Sequence, residues 1–317
     1  MTTEFHFPVR TSGTAVLALV LGLPPVSFIT LGLPAIFLGF YALRGINQSD
    51  GRLRGRRLAI AAMILGALNL LIVLLWALVP AVRYLRAVND KTTCQNHLRK
   101  IGLAMSQYYD EHKFYPAGTI PNADLRPEQR LSWLAALLHY LPPEAGRGGS
   151  RPAQVYDAID RTAAWDAPVN QDAVNTPFRT FLCPSAPDLD LNHRPALTTY
   201  VGTAGIGPNA AELPVENPRA GVFGYDRRIT RDNVPAGLAT TVMATETTLD
   251  NGPWAAGGRA TVRGLDPEQK PYFGDGRQFG GCHPGGLNVL FLDGHVDFLR
   301  DSIQPKVFEA LLTLAAD

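Results

Sequence analysis

The sequence predicts an α+β protein with two transmembrane helices, the second continuing into a long helix packed on an antiparallel β-sheet. Three observations carry this expectation. Residues Leu58 to Val82 are 25 consecutive positions without a charge, and at about 1.5 Å per residue they exceed the roughly 30 Å hydrocarbon core of a bilayer. They run without a Gly/Pro-rich break into an amphipathic pattern that ends near Tyr109. Near the C-terminus, apolar-rich runs flank Asp293-Gly294, a dipeptide that favours a tight hairpin turn.

The first apolar run, Thr11 to Leu43, also lacks charge and is interrupted by Pro24, Pro25 and Pro34. Splitting it at Pro24 and Pro25 leaves pieces too short to cross a bilayer alone, so one Pro-kinked span is expected rather than two. A signal peptide competes, since Arg10 precedes the run. The run is about twice the usual apolar core of such a peptide, however, and no convincing small-x-small cleavage site follows it. The N-terminus is therefore expected to be retained.

Between the two runs, residues 44 to 57 hold five Arg and one Asp. Short Arg-rich loops stay cytoplasmic, which places everything after Val82 on the opposite side. Residues 1 to 100 carry 11 Lys/Arg against three Asp/Glu, and residues 101 to 317 carry 18 against 25, an asymmetry hidden by the overall +1. An acidic domain on a basic anchor argues against nucleic acid as a partner. The division expected is a two-span anchor over 1 to 82 and a domain over 83 to 317, where 235 residues suffice for one sizeable core or two small ones.

After the second span, Cys94, Leu98, Ile101, Met105 and Tyr108 recur at helical spacing as one apolar stripe, ended by Pro116 and Gly118. Leu134, Leu137, Leu138 and Leu141 describe a short helix with Trp133 beside its apolar face, stopped by Pro142 and Pro143. Residues 142 to 180 read as an extended loop region and 203 to 237 as a long connection. Thr240 to Thr248 alternates as a strand with Glu246 near its end. Residues Ser302 to Ala316 return to a helix with Val307, Ala310, Leu311 and Leu314 spaced to pack on the sheet.

Cys94, Cys183 and Cys282 allow one disulfide and leave one thiol over. No Cys-x-x-Cys pair occurs and no His lies three to five residues from another, so spacing predicts no metal site. If the domain is extracytoplasmic, Cys94 with Cys183 is the favoured bridge, tying the stalk helix to the globular part; three buried thiols weigh nearly as much. With Asp293 and Gly294 at a two-residue turn, Val289, Phe291, Val296 and Phe298 share a core face, and Leu290, Leu292, His295 and Asp297 share a mixed outer one. Turn chemistry accounts for Asp293, and a buried, hydrogen-bonded carboxylate fixing the Trp254 loop accounts for Glu246. His283 is left without a structural demand, so hydrogen bonding across its Gly-rich loop and ligand contact both stand. No Gly-x-x-x-x-Gly-Lys-Ser/Thr, His-Glu-x-x-His or Gly-x-Ser-x-Gly pattern is present, and no enzymatic activity is expected.

A long N-terminal helix followed by Phe114-Tyr115-Pro116 and a domain of short strands resembles a type IV pilin or secretion pseudopilin. More closely, the stretch Cys94-Gln-Asn-His-Leu-Arg-Lys-Ile-Gly-Leu-Ala resembles the start of the bacterial PulG-like family, domain of unknown function 1559. Phe181-Leu-Cys183-Pro-Ser185, Thr199-Tyr200-Val-Gly202, Glu246 followed by Trp254, and a tail of His283, nine residues, then Asp293-Gly294 recur in that family's order. Residues 51 to 61 resemble small bacterial two-span domains of unknown function. The resemblance implies a multi-pass protein of the bacterial inner membrane whose C-terminal domain is extracytoplasmic and pilin-like. Its expected role is structural or interaction-based, with a secretion-type assembly as one setting and the lipid bilayer and other envelope or pilin-like proteins as partners. The alternative is a ligand-binding module using the loops around His283 and Trp254, with Glu246 and Asp293 as further candidate contacts and no cofactor. Two spans lacking the usual Gly/Phe-x-x-x-Glu leader junction distinguish the chain from processed pilins.

The topology is testable by placing a surface Cys after Val82 and treating intact spheroplasts with a membrane-impermeant thiol reagent. Labelling without permeabilisation is expected. Labelling only after permeabilisation would put the domain on the cytoplasmic side.

Overall fold

The computed structural model describes residues 10–22, 32–49, 52–144, 149–186 and 191–315, which fall into two compact units, Met1–Arg86 and Ala87–Asp317. In the first, α1 (Gly13–Gly22) and α2 (Gly32–Asn47) pack together, and β1 (Arg10–Thr11) pairs in parallel with β2 (Leu53–Arg54). Pro24 and Pro25 lie outside the described residues. Within the run Thr11 to Leu43, where a single kinked span is expected, the described residues form helices of 10 and 16 residues, each by itself short of the roughly 20 needed to cross a bilayer. Gly32, Ala35, Gly39 and Ala42 form the buried stripe of α2, and their small side chains let helix backbones approach closely.

Helix α3 (Arg56–His112) is 57 residues long and is the one described helix with the length and apolar character to cross a membrane. Ile64, Leu68, Leu71, Leu75 and Trp76 expose their apolar side chains along it, the pattern of a helix whose solvent is lipid. The expectation of two transmembrane spans thus reduces to one candidate. Its C-terminal end comes before Pro116, at Lys113, whose φ of 64° closes the last turn with a hydrogen bond from its amide to the Tyr109 carbonyl.

In the second unit the predicted stripe is buried up to its last member, Tyr108, which is half-buried: Cys94, Leu98 and Ile101 are inaccessible and Met105 nearly so. These residues enter a core shared with Trp133, Leu134, Phe178, Phe181, Tyr200, Trp254 and Leu290. The sheet has five strands in the order β5-β3-β4-β6-β7, with β3 Tyr200–Ile206, β4 Val242–Glu246, β5 Val262–Leu265, β6 Gly286–Phe291 and β7 Val296–Arg300. The antiparallel sheet expected from the sequence is in fact mixed, because β5 runs parallel to β3. The segment from 247 to 261 carries the chain past β3 to its far edge, so no hairpin imposes an antiparallel direction there. Gly102 makes the contact of α3 with the sheet possible, since a Cβ there would lie 2.9 Å from Leu290 Cδ1 and 3.3 Å from the Gly294 carbonyl oxygen.

The opposite sheet face packs Val201, Val242, Leu287, Val289 and Phe291 against Phe308 and Leu312. The C-terminal helix is shorter than expected: α7 covers Pro305–Leu311. It presents Phe308 inward, whereas Val307, assigned to the packing face, is 47% exposed. Of the other predicted elements, Leu134 and Leu137 lie in α4 (Trp133–Leu137), started by Ser132, whose hydroxyl accepts the Ala135 amide. Leu138 follows in a 3-10 turn. The supposed loop region holds two short helices, α5 (Pro152–Ala158) and α6 (Gln171–Val174). Proline at the first turn starts α5 without needing a free N–H.

The hairpin shows the largest change of register. The amide of Gly294 donates to the Phe291 carbonyl and that of Phe291 to the His295 carbonyl, both at 2.9 Å. Leu292, Asp293 and Gly294 thus form a three-residue loop in which Gly294 alone takes a positive φ, 94°, the turn-plus-bulge form of hairpin. The extra residue moves β7 by one position: Leu290 opposes Val296, Asn288 opposes Phe298 and Val289 opposes Asp297. Phe298 and Val296 therefore share a face with Leu290, and not with Val289 and Phe291 as the two-residue turn required. Strand β6 is buried on both faces, so Leu290 and Leu292 belong to the core as well.

Gly294→Val should lower stability by more than about 1 kcal/mol, since a β-branched residue is strained at positive φ. His295→Ala should cost about 0.5 kcal/mol or less, because it removes an exposed ring stacked on Phe291 and bonded to Asp293. Thermal melts of the two variants check the ranking, and a larger loss for His295→Ala would refute it.

Candidate functional site

Four chain segments converge on one buried point. Cys94 comes from the buried stripe of α3, and Cys183 from the segment after a 3-10 turn at Arg179–Phe181, its amide held by the Thr199 hydroxyl at 2.7 Å. Glu246 is the last residue of β4, and His283 belongs to the turn entering β6. The Sγ atoms of the two cysteines, a Glu246 carboxylate oxygen and a His283 ring nitrogen all lie within 4.8 Å of one another, and all four residues are buried. They come from sequence positions up to 189 residues apart, so local ligand spacing says nothing about such a cluster. The absence of Cys-x-x-Cys or His-x(3–5)-His spacing, from which no metal site is expected, therefore does not bear on it.

The contacts are specific. The Cys94 thiol donates to Glu246 Oε2 at 2.8 Å and lies 3.0 Å from the Tyr200 hydroxyl. Glu246 Oε1 accepts the Asn288 amide at 2.9 Å and Oε2 accepts its side-chain NH2 at 3.2 Å. Cys183 Sγ lies 3.3 Å from His283 Nε2, which is 3.5 Å from Glu246 Oε2. Glu246 is thus buried and hydrogen-bonded, as its sequence context suggested, but it fastens β6 and α3 and not the Trp254 loop.

Electrostatics favour uncharged groups here. Burial pushes the Glu246 carboxyl up to about 7, against the opposing pull of its Cys94 and Asn288 hydrogen bonds. Burial, followed by the nearby Lys91 charge, pushes His283 down to about 4. The Cys94 thiol is raised far above its ordinary range, chiefly by burial. Cys183 is raised chiefly by its hydrogen bond with the Cys282 thiol, then by burial. The His283 ring is therefore neutral at neutral pH, and its approach to Glu246 is not an ion pair.

A thiol beside an imidazole raises the question of nucleophilic catalysis. In such a site the carboxylate holds one ring nitrogen while the other takes the thiol proton. Here Glu246 and Cys183 approach the same nitrogen, Nε2, so the carboxylate does not orient the ring for proton transfer. Convergence of two sulfurs, an oxygen and a nitrogen on one point is instead the pattern of a ligand set.

The other predicted residues are placed elsewhere. Trp254 is fully buried against Phe178 and Phe181, its indole N–H donating to the Thr176 carbonyl. Asp293 bonds His295 at the hairpin loop. His283 and Asp293-Gly294 stand at opposite ends of β6, which at about 3.4 Å per residue is roughly 20 Å long, so the motif's His and Asp do not meet. The three cysteines are free, and the disulfide favoured between Cys94 and Cys183 is not formed although their sulfurs are neighbours. Tyr200 and Asn288 escaped the sequence reading as site residues, although both lie inside its motifs. Beside the cluster, His283 and Cys282 line a cavity of about 450 Å³ with Ser185, Phe273, Asp275 and Asp301.

The family model described as a protein of unknown function (DUF1559) matches residues 91–265 and 254–306, more than half of the chain. The chain belongs to this family. A second model, a domain of unknown function (DUF4190), matches residues 14–76. No curated protein and no solved structure matches the chain. The DUF1559 match takes in Cys183, Glu246 and His283, and Cys94 near its beginning.

Glu246→Leu should cost about 2–4 kcal/mol, because it strands the Asn288 amide and side chain without water or partner, at about 1–3 kcal/mol per group. Tyr200→Phe should cost about 1 kcal/mol, since it removes one hydroxyl at the edge of the cluster. Denaturant unfolding followed by tryptophan fluorescence measures both. Equal effects would show that Glu246 does not organise the cluster.

Proposed function

We propose that the chain is a membrane-held, pilin-like structural or interaction protein of the bacterial envelope, with its C-terminal domain outside the cytoplasm. The observation that carries this reading is α3, one helix whose apolar first half exposes its side chains and whose second half packs one buried stripe into the core of a sheet domain. The Arg-rich segment before α3 supports the orientation. Membership of a family without assigned activity adds no reaction to consider.

The cavity beside His283 favours a second reading, an extracytoplasmic small-ligand module. Its volume suits a small molecule, and Asp275, Asp301 and Ser185 provide polar contacts. Trp254, buried in the aromatic core, takes no part in this version.

Photocrosslinking from exposed positions such as Leu103 and Val169, in native membranes, separates the two. Discrete adducts with another envelope protein, or with further copies of this chain, are expected. Monomer alone, together with a ligand-induced rise in melting temperature that Asp301→Ala abolishes, would replace the structural reading with the binding one.

A further inference from the structure

We propose that Cys94, Cys183, Glu246 and His283 bind one structural Zn²⁺ ion that clamps α3 to the sheet domain. The donor set is the first argument. Zinc takes thiolate, imidazole and carboxylate ligands together in a tetrahedron, whereas thiolates are poor ligands for magnesium or calcium. The shape is the second. Bond lengths of about 2.3 Å to sulfur and 2.0–2.2 Å to nitrogen or oxygen give tetrahedral edges of roughly 3.4–3.8 Å. The Cys183–His283 and His283–Glu246 edges, 3.3 and 3.5 Å, lie within a few tenths of an ångström of those values. The Cys94–Glu246 edge, 2.8 Å, is an S–H···O hydrogen bond. It opens when the metal displaces the thiol proton.

The surroundings supply the third argument. Ligands of a metal are themselves held by hydrogen bonds from an outer layer. Asn288 gives Glu246 two such bonds, and the Tyr200 hydroxyl lies against Cys94 Sγ. Two thiolates and a carboxylate leave a net charge of −1 around the ion, and Lys91 lies near enough to act on both Glu246 and His283. All four positions are filled by buried protein groups, leaving none for water. Zinc in a closed site of this kind holds structure together and does not activate a nucleophile. The four ligands come from α3, the Cys183 segment, β4 and the turn before β6, so one ion joins the stalk helix to three parts of the domain. This proposal is independent of whether the domain assembles with partners or binds a small ligand.

The full-length chain, purified in detergent under reducing conditions and stripped with a chelator, is titrated with Zn²⁺ and separately with Co²⁺. One equivalent of zinc should bind and raise the melting temperature, and Co²⁺ should give the thiolate charge-transfer and intense visible bands of a tetrahedral site. Cys183→Ser and His283→Ala should abolish stoichiometric binding, while Cys282→Ser, outside the four, should retain it. Asn288→Ala should weaken affinity roughly 10–100-fold, as loss of an outer hydrogen bond does. The wild-type titration stands even if a variant fails to fold. Absence of uptake by reduced wild-type protein would overturn the proposal. So would a Cys94–Cys183 disulfide in protein isolated with thiols trapped, undiminished binding by Cys183→Ser, or loss of binding in Cys282→Ser alone.

Discussion

A carboxylate sealed from water must find its partners inside the protein, and Glu246 finds them on three separate pieces of chain. Its oxygens take both nitrogens of Asn288 on β6, the thiol of Cys94 on α3 and a 3.5 Å approach from His283. The alternative, an unanswered buried carboxylate, costs several kcal/mol. The position of α3 on the sheet, the strand order around β4 and the turn entering β6 are therefore tied to one side chain. Gly102 serves the same contact further along α3, where any Cβ would push against Leu290.

The two units follow different physical rules. In the first unit, α3 exposes apolar side chains over a stretch long and apolar enough to cross a membrane, and the small residues of α2 allow close helix packing. In the second, the same helix is amphipathic and its Cys94-to-Met105 stripe is buried in an aromatic-rich core. Trp254, Phe178 and Phe181 fill that core with their ring edges and faces in contact. The indole N–H still reaches a carbonyl, as a buried tryptophan requires.

Helical periodicity made the stripe of α3 and the start of α4 legible, because both are local patterns that burial only reinforces. Alternation made Glu246 legible as a strand-end residue. The hairpin was half legible: Gly294 takes the positive φ expected of it, but a single extra loop residue reversed the faces of β7, and nothing within Asp-Gly fixes loop length. The parallel placement of β5 depends on a long excursion and carries no local mark. Arg227 and Arg263 carry no local mark in the sequence, and both are buried, their guanidinium groups donating to the carbonyls of Phe223 and Ala204 in one case and of Leu249 and Asp250 in the other. Cys94, Cys183, Glu246 and His283 were each visible as motif residues. Their convergence was not, since it is a property of topology and not of spacing.

The central claim is that these side chains act as one unit fastening α3 to the sheet. A double-mutant cycle between Cys94→Ala and Glu246→Gln, read by denaturant unfolding of the full-length chain, measures that coupling without reference to any ligand. Residues in direct contact couple by about 0.5–3 kcal/mol, while independent sites add to within about 0.5 kcal/mol. A coupling above about 1 kcal/mol is the predicted result. Simple additivity would contradict the account, because it would mean that Cys94 and Glu246 stabilise the protein separately and that the buried carboxylate does not hold the helix in place.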